Sequence, residues 1–573
     1  MPKTKAIILS FILFASIPSL SQPKRNKRIY IPPIANEFSL SGSFGEIRTD
    51  HFHSGIDIRT NGKRGLKVKV SDKGFVSRIK ISTLGFGKAL YVDHPNGTTT
   101  VYAHLDSFSP EIDKYVKNHQ YKNQSFEVDL FLKPNEITVT KGSIIGASGN
   151  SGSSGGPHLH YETRSSKSQK PFNPLTCFNV IDRISPQVKA VHLYFLKDTP
   201  KGTNDRIPIL LRKEGNNYLI DDTIPAYGNI GIGVEAFDLF NSTSTILGIS
   251  SITLRVNGIA FYSLSLDEFA FGETRYANSI VDYTVRENTG KEIIKLWAEP
   301  NNLFSGIKQL INRGIIPIQA NEIYRIDINV YDGSGNRSCI TFYIRGIPSP
   351  ASDTLYYFDE YTYNILRYDI DNIIDCEHFS LTIPKNTLYN DIPFSYSVRD
   401  SSGFFSSPII HLGIMPTPLH RKVELKIRAK GITDNFNAKA YIGSFNKDKK
   451  EVIPLGGIWD NGFIKTSISN LGDFFVLLDT IPPVIQPVNF SSAMKPGNLQ
   501  QLTFIIRDDQ SGIKTFNGYI DGKWALFEYD PKNDELKYLF DPERIVKNSK
   551  HSLNLIITDE RGNTGDYQCD FFW

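Results

Sequence analysis

The stretch SGNSGSSGGPHLHYE, residues 148–162, joins a loop of glycine and serine to an alternating segment that begins after Pro157. The alternation predicts a β-strand, on which His158 and His160 project from the same face about 7 Å apart. Two such imidazoles repel each other when both are protonated. A cation bound by one of them keeps it neutral, while its neighbour faces a water molecule on that cation. The pair therefore predicts a metal site on a β-sheet.

The sequence around this stretch predicts an antiparallel β domain over residues 22–180. Segments rich in β-branched or alternating residues lie between glycines, namely LKVKVSD (66–72), GFVSRIKIS (74–82), KALYVDH (88–94), TTTVYAHL (98–105) and KGSIIGASG (141–149). Pro95-Asn96-Gly97 predicts a hairpin between two of them. GSFGEIRTD (42–50) is expected to form the first strand of the domain. Residues 106–136 break the pattern and predict an insertion with a short helix near 109–119.

A second histidine-bearing segment, HFHSGIDI (51–58), offers the imidazole of His53 and the carboxylate of Asp57. Gly55 lies between them and is expected to let the backbone bend both side chains inward. Two histidines and one carboxylate, with a fourth position left to water, are typical of catalytic zinc. Calcium or magnesium would favour more oxygen ligands. A third segment, VYAHL (101–105), adds His104.

The motifs HSGID, YAHL and GPHLHYE, in this order, resemble the lysostaphin-type zinc endopeptidases, which cut peptidoglycan cross-bridges. The resemblance extends over residues 38–175 and includes GFGKALYVDHPNGTTTVYAHL. It implies one zinc ion on His53, Asp57 and His160. It also implies catalytic roles without metal ligation for His104 and His158.

We expect His158 to act as the general base that deprotonates water with the help of zinc. We expect His104 to orient that water or to stabilise the oxyanion, and these two roles could be exchanged. Tyr102 lies on the same strand face as His104 and is expected to pack rather than to react.

Other polar residues near the motifs have simpler interpretations. His51 shares strand parity with His53, but we expect it to be exposed or to lie behind a ligand. His94 and His119 are expected to face solvent. Glu162 could hydrogen-bond a ligating imidazole or lie on the surface, and the sequence does not separate these alternatives.

The loop from Gly149 to Gly156 is not a phosphate-binding loop, because no Gly-Lys-Ser/Thr ending and no helical pattern follow it. We expect this loop to border a substrate groove. The formal net charge of +4 for 573 residues gives no electrostatic case for nucleic-acid binding.

The N-terminus predicts export. Lys3 and Lys5 precede the apolar segment AIILSFILFA (6–15), and small residues before Gln22 are typical of a signal peptide over residues 1–21. The apolar segment is too short to be a transmembrane anchor, and no later stretch reaches that length. A periplasmic, envelope-associated or secreted protein is expected.

After the first domain the sequence predicts immunoglobulin-like β-sandwich modules over 181–348 and 479–573, with another β-rich module over 349–478. YRIDINVYDGSGNRSCITFYI (324–344) parallels LNLIITDERGNTGDYQCDFFW (553–573), which indicates a repeat. Asp332 and Asp559 are interpreted as turn residues rather than calcium ligands. The modules could bind glycan or a protein partner, or act as spacers.

Four widely spaced cysteines fit neither a zinc ribbon nor a dense disulfide framework, and small buried apolar residues are the default interpretation for Cys177, Cys339, Cys376 and Cys569. The leading hypothesis is an exported zinc endopeptidase that acts on the peptide of peptidoglycan. The alternatives are a catalytically silent regulator of cell-wall hydrolysis and a metallopeptidase of glycine-rich protein. The sequence leaves open which cross-link is cut.

Overall fold

The computed structural model describes residues 30–34, 38–196, 205–241, 244–349, 364–400, 405–446, 450–490 and 500–573. Strands account for 50% of the chain and helices for 9%, and the sheets are predominantly antiparallel. The prediction of a mainly β protein is therefore confirmed. The predicted signal peptide, residues 1–21, lies outside the described residues. No helix in the described ranges is long and apolar enough to cross a membrane.

The first domain is built on one twisted sheet. Its strands are β1 (Leu40–Gly42), β2 (Ile56–Arg59), β3 (Lys67–Lys69), β4 (Gly74–Ile81), β5 (Lys88–Asp93), β6 (Thr98–Phe108), β7 (Val128–Phe131), β8 (Thr138–Val139), β9 (Ile144–Ser148), β10 (His158–Ser165) and β11 (Pro171–Phe172). The helix α1 (Pro110–Asn123) lies between β6 and β7. The main strand order is β1-β2-β10-β6-β5-β4-β7, so β10 lies between β2 and β6.

Two local expectations for this domain need revision. The predicted first strand over 42–50 is wrong: β1 ends at Gly42, and the following residues form turns with a single bridge between Ile47 and Phe52. Gly45 has φ of +78°, a left-handed conformation that ends the extended backbone there. The segment 106–136 contains the predicted helix, but it also contributes β7, which pairs with β4 and extends the sheet.

The second β-rich region has two sheets and two short helices. Its strands are β12 (Gln187–Leu196), β13 (Asp205–Ile209), β14 (Arg212–Glu214), β15 (Asn217–Leu219), β16 (Ile224–Ala226), β17 (Gly228–Leu239), β18 (Ile246–Leu247), β19 (Ser251–Val256), β20 (Ile259–Ser265), β21 (Ile294–Lys295), β22 (Ile307–Leu310), β23 (Ile316–Ile318), β24 (Ile323–Tyr331) and β25 (Arg337–Gly346). The helices are α2 (Ala277–Ile280) and α3 (Tyr283–Thr289). One sheet is centred on β12 and β17, and the other on β24 and β25.

The third region contributes two five-stranded sheets and a small two-stranded one. Its strands are β26 (Asn364–Leu366), β27 (Asn372–Asp375), β28 (Phe379–Ile383), β29 (Ile392–Phe394), β30 (Tyr396–Arg399), β31 (Ile409–Leu412), β32 (Pro418–Arg428), β33 (Ala440–Asn446), β34 (Glu451–Pro454), β35 (Ile458–Asp460), β36 (Phe463–Asn470) and β37 (Asp473–Leu478). Short 3₁₀ helices occur along the chain at Pro174–Cys177, Phe271–Tyr276, Asn312–Gly314 and Asp434–Lys439.

The last region consists of two four-stranded sheets. Its strands are β38 (Val484–Pro487), β39 (Gln501–Arg507), β40 (Ile513–Ile520), β41 (Lys523–Ala525), β42 (Glu528–Asp530), β43 (Glu535–Leu539), β44 (Lys550–Asp559) and β45 (Thr564–Phe572). The two segments that resemble each other in sequence fold alike, as the antiparallel hairpins β24–β25 and β44–β45. The assignment of these regions as immunoglobulin-like, and the domain boundaries, stay predictions.

The four cysteines lie in separate parts of the fold. Cys177 is buried, whereas Cys339, Cys376 and Cys569 are half-buried. No disulfide joins any two of these described residues. The reading of cysteines as small apolar residues therefore fits Cys177 best.

The first domain and the second region share one continuous apolar core, whereas the third and last regions each have their own. Three aromatic rings make part of the shared core: Phe269 lies 5.1 Å from Phe44 and 5.3 Å from Phe52 between ring centroids. Phe52 directly precedes the candidate ligand His53 and is fully buried. The second region therefore supports the segment that carries this ligand.

We expect Phe269→Ala to lower the free energy of unfolding by about 3–5 kcal/mol, because the truncation leaves a cavity in the shared core. Chemical denaturation followed by circular dichroism measures this change. Phe445→Ala is the matched control, since that ring is 43% exposed and its loss should cost no more than about 0.5 kcal/mol. Equal losses in the two variants would contradict a shared core at Phe269.

Candidate metal and catalytic site

Two neighbouring strands bring the predicted ligands together. His160 on β10 lies directly opposite Asp57 on β2 in the antiparallel register, and opposite Ala103 on β6 on its other side. His53 lies three residues before β2. The sheet thus places a histidine and an aspartate 103 residues apart in sequence on adjacent strands.

The three predicted ligand side chains converge on one point. The Nε2 atom of His53 lies 3.0 Å from Nδ1 of His160 and 3.1 Å from Oδ1 of Asp57. The Nδ1 atom of His160 lies 3.0 Å from the same Asp57 oxygen. All three residues are buried. Among the described residues they form one of the groups whose ligand atoms lie close enough to hold a metal ion.

The other nitrogen of each imidazole is already used. Nδ1 of His53 donates to the carbonyl oxygen of Ser43 over 2.8 Å, so Nε2 keeps its lone pair for the centre of the site. Nε2 of His160 lies 3.1 Å from Oε1 of Glu162, to which it donates, so Nδ1 faces the centre. Hydrogen bonds behind the ligands therefore fix the tautomers that metal binding requires.

This donor set fits zinc. Ligand atoms about 2.1 Å from a tetrahedral ion lie about 3.4 Å from one another. The observed separations of 3.0–3.1 Å need only a small expansion to admit the ion. Two imidazole nitrogens and one carboxylate oxygen also match the ligand types that zinc prefers over calcium or magnesium.

Glu162 is a buried anion and not a surface residue, which resolves the alternative that the sequence left open. Its side chain is fully buried, accepts a hydrogen bond from Ser54 Oγ and pairs with Arg164. Burial raises the pKa of Glu162, but the opposing effect of Arg164 and His160 is larger, so the pKa falls to about 2. A permanently charged carboxylate therefore orients the His160 ring.

Charges on both sides act on the protonation of His160 and Asp57. Burial lowers the pKa of His160, but hydrogen bonds to Asp57 and Glu162 outweigh burial and raise that pKa to about 9. Burial likewise raises the pKa of Asp57, yet the neighbouring histidines hold it well below its usual range. Protons therefore compete with a metal for Nδ1 of His160.

Arg48 is a site residue that the sequence reasoning missed. Its guanidinium donates to Oδ2 of Asp57 over 2.9 Å, which leaves Oδ1 to face the histidines. Arg48 also pairs with Glu46 over 3.3 Å. In the sequence these residues resemble any exposed pair of opposite charges, so only the fold reveals the contact with Asp57.

Gly55 has a steric role that differs from the one expected. A Cβ atom at Gly55 would lie 2.5 Å from the carbonyl oxygen of Tyr161 and 2.9 Å from Cε1 of His160. The φ angle of Gly55 does not lie in the left-handed region. Glycine is required there because β10 approaches closely, and not because the backbone bends unusually.

His104 and His158 lie beside the three-residue cluster, with ring centroids 4.9 Å apart. His158 Nε2 is 3.4 Å from Oδ1 of Asp57. His104 lies at a β-bulge, where β6 has one more residue than β5 between matched pairs, and its φ is +58°. The bulge turns the His104 side chain towards the site.

The glycine-serine loop positions both of these histidines. Nδ1 of His104 donates to the carbonyl oxygen of Ser151 over 2.8 Å. Nδ1 of His158 donates to the carbonyl oxygen of Gly156 over 2.8 Å. Burial, together with the nearby imidazoles of His160 and His158, lowers the pKa of His104 to about 3. His104 is therefore neutral at physiological pH, with Nε2 as a hydrogen-bond acceptor.

The remaining histidines near the motifs give mixed outcomes. His51 is exposed and contacts Asp50 over 2.8 Å, as expected. The expectation for His94 is wrong: it is 5% exposed, donates from Nδ1 to Lys73 O and contacts Thr100 through Nε2. His119 is half-buried in α1 rather than solvent-facing. Tyr102 is fully buried and packs, as expected.

Comparisons with known proteins find matches in two parts of this chain. A model of Peptidase family M23 matches residues 51–126, and a model of a Zu5-like domain matches residues 363–479. The DD-carboxypeptidase/endopeptidase Mpg of Neisseria meningitidis serogroup B is 32% identical over 130 residues, which cover 23% of this chain and 24% of that protein. A protein with the same name from Neisseria gonorrhoeae gives the same values. The chain thus spans about a quarter of the length of these curated relatives.

Solved structures of two related proteins are similar to about a quarter of this chain. A mutant catalytic domain of the prophage-encoded M23 protein EnpA from Enterococcus faecalis is 24% identical, with a TM-score of 0.19, over 25% of this chain and 93% of that one. The catalytic domain of lysostaphin from Staphylococcus simulans is 21% identical, with a TM-score of 0.18, over 24% of this chain and 90% of that one. The family match and the curated relatives confirm the resemblance seen in the motifs: residues 51–126 match Peptidase family M23.

Proposed function

We propose that this protein is an exported zinc endopeptidase that hydrolyses peptide cross-links of peptidoglycan. The observation that carries the proposal is the convergence of His53 Nε2, His160 Nδ1 and Asp57 Oδ1 within 3.1 Å of one another. The peptide substrate is inferred from the M23 family and from curated relatives named as carboxypeptidase and endopeptidase. Export is inferred from the N-terminal sequence alone.

His53, Asp57 and His160 would hold the zinc ion. When bound, zinc supplies Lewis-acid polarisation of a peptide carbonyl and lowers the pKa of a coordinated water to about 7. The rings of His104 and His158 lie beside the three ligand side chains, so they would lie next to a water molecule or a peptide bound at the ion.

His158 is our choice for the general base. Its Nδ1 proton is committed to Gly156, so Nε2, which lies 3.4 Å from Asp57 Oδ1, can accept a proton from the attacking water. The ionised carboxylate of Asp57 stabilises the imidazolium that results. The same nitrogen can then return the proton to the departing amine.

His104 is assigned to orienting the attacking water. With Nδ1 donating to Ser151 and a pKa of about 3, the ring stays neutral and presents an acceptor at Nε2. An acceptor can align a water molecule but cannot donate a hydrogen bond to an oxyanion. This favours the first of the two roles expected for His104.

The last region of the chain reaches the loop that positions these histidines. Lys532, between β42 and β43, donates to the carbonyl oxygens of Asn150 and, over 2.8 Å, Gly152. The carbonyl between them, that of Ser151, accepts the bond from His104. A second link, from Lys88 to Glu528 over 2.8 Å, joins the same two parts of the protein. Lys532 is thus a positioning residue for His104.

The central test is digestion of purified peptidoglycan by the zinc-loaded protein, followed by analysis of the released muropeptides. We expect His158→Ala and His160→Ala each to lose activity by more than 100-fold, while only His160→Ala also loses bound zinc. Chelation should abolish cleavage by the wild type, and zinc should restore it.

Chelator-resistant cleavage would refute the zinc mechanism, and full activity of His158→Ala would refute the base assignment. A glycine-rich protein, tested in parallel, probes the substrate class. If this protein is cleaved and peptidoglycan is not, the chain is a peptidase of proteins. Zinc binding without any cleavage would indicate a catalytically silent regulator.

We expect Glu162→Gln to weaken zinc binding by about 10–100-fold, because it removes the charge that orients and polarises the His160 ring. Competition with a chromogenic chelator measures this affinity. Glu111→Gln, at an exposed position of α1, is the matched control and should bind zinc like the wild type. An unchanged affinity in Glu162→Gln would show that the buried carboxylate does not act on the metal site.

We expect Lys532→Ala to lower kcat on a soluble cross-linked peptide by about 10-fold, with zinc content unchanged, because the loop carrying the Ser151 carbonyl loses its anchor. Lys523→Ala, at an exposed position of the same region, is the control. In a His104→Ala background the Lys532→Ala effect should vanish. A loss that persists in that background would show that Lys532 does not act through His104.

A further inference from the structure

A second cluster of ligand-type side chains lies in the second region and shares no residue with the candidate catalytic site. One carboxylate oxygen from each of Asp182, Asp238 and Asp332 lies within 4.8 Å of the others. The three residues are 8%, 4% and 3% exposed, respectively. Three acidic side chains are thus gathered at a position that solvent barely reaches.

The three aspartates come from different parts of the fold. Asp182 lies in the segment that connects the first domain to β12, Asp238 lies near the end of β17, and Asp332 directly follows β24. Oδ1 of Asp332 accepts hydrogen bonds from three successive backbone amides, those of Ser334, Gly335 and Asn336. The predicted turn is therefore real, but it accounts for only one of the three carboxylates.

Two oxygens of the cluster have no hydrogen-bond partner among the described residues. Oδ1 of Asp238 and Oδ2 of Asp182 are both buried and unpaired. Leaving buried carboxylate oxygens unpaired is costly, because neither water nor a donor replaces their hydration. Burial, and then the carboxylates of Asp332 and Asp182, raise the pKa of Asp238 to about 8.

We propose that Asp182, Asp238 and Asp332 bind one calcium ion. Calcium takes oxygen ligands at 2.3–2.6 Å, so the oxygens around it lie up to about 5 Å apart, which suits the observed spacing. Magnesium, with shorter bonds and a strict octahedron, fits this spacing less well. The ion would coordinate the unpaired oxygens and would link the connecting segment to two strands of the second region.

An equivalent cluster in the last region provides an internal comparison. Asp479, Asp508 and Asp559 also bring oxygens within 4.8 Å of one another. There, Ser511 Oγ donates to Oδ2 of Asp479, and Asn563 donates to both Asp479 and Asp559. Asp508 is half-buried. Hydrogen bonds thus stabilise this cluster without an ion, so it does not share the defect that motivates the first site.

The test measures calcium binding by the full chain, stripped of divalent ions on a chelating resin and reloaded with one equivalent of zinc. Equilibrium dialysis against calcium should give one calcium ion per wild-type chain. At about 100 times the dissociation constant, the thermal midpoint should rise by about 3 °C or more. Asp238→Asn should lose both effects, and the matched Asp508→Asn should keep both.

A distinct readout separates a binding role from a purely structural one. Without calcium, Asp238→Asn should be at least as stable as the wild type, because an amide stays neutral among the crowded acidic groups without taking up a proton. If Asp238 had a purely structural role, Asp238→Asn would instead destabilise the protein and leave calcium binding intact. Asp182→Asn alters the other unpaired oxygen and should also lose the ion, which provides the test should Asp238→Asn not fold. No calcium on the wild type, or full calcium on both Asn variants, would overturn the proposal.

Discussion

The imidazole of His160 is held between two buried carboxylates, with Asp57 on one ring nitrogen and Glu162 on the other. This arrangement exists only because β10 lies between β2 and β6, in the register that sets His160 opposite Asp57. A slip of one residue would turn His160 to the other face of the sheet. Strand register, more than any single contact, therefore determines whether these side chains form the candidate metal site.

Close packing behind the site maintains that register. Strand β10 passes so close to Gly55 that no side chain would fit there. Phe52 packs the preceding segment into a core shared with the second region. The ring of Phe269, which belongs to that region, contacts Phe52. The first domain is therefore not an independent unit, since the segment that carries His53 packs against both β10 and the second region.

Much of this could be predicted from local pattern. Alternation around Leu159 predicts the strand, Asn96-Gly97 predicts the hairpin, and the histidine motifs predict which side chains converge. Burial is harder to predict, because it depends on contacts made in the folded chain. His94 donates a hydrogen bond to the backbone of Lys73, and Glu162 contacts Ser54 and Arg164. The bulge that turns His104 inward was equally invisible, since an extra residue in β6 changes no motif.

The order of the regions along the chain differs from their order in space. The carbonyls on either side of Ser151 are bonded by Lys532, which lies 382 residues after Asn150. The loop beside His104 therefore has its full set of contacts only when the last region of the polypeptide is present and folded.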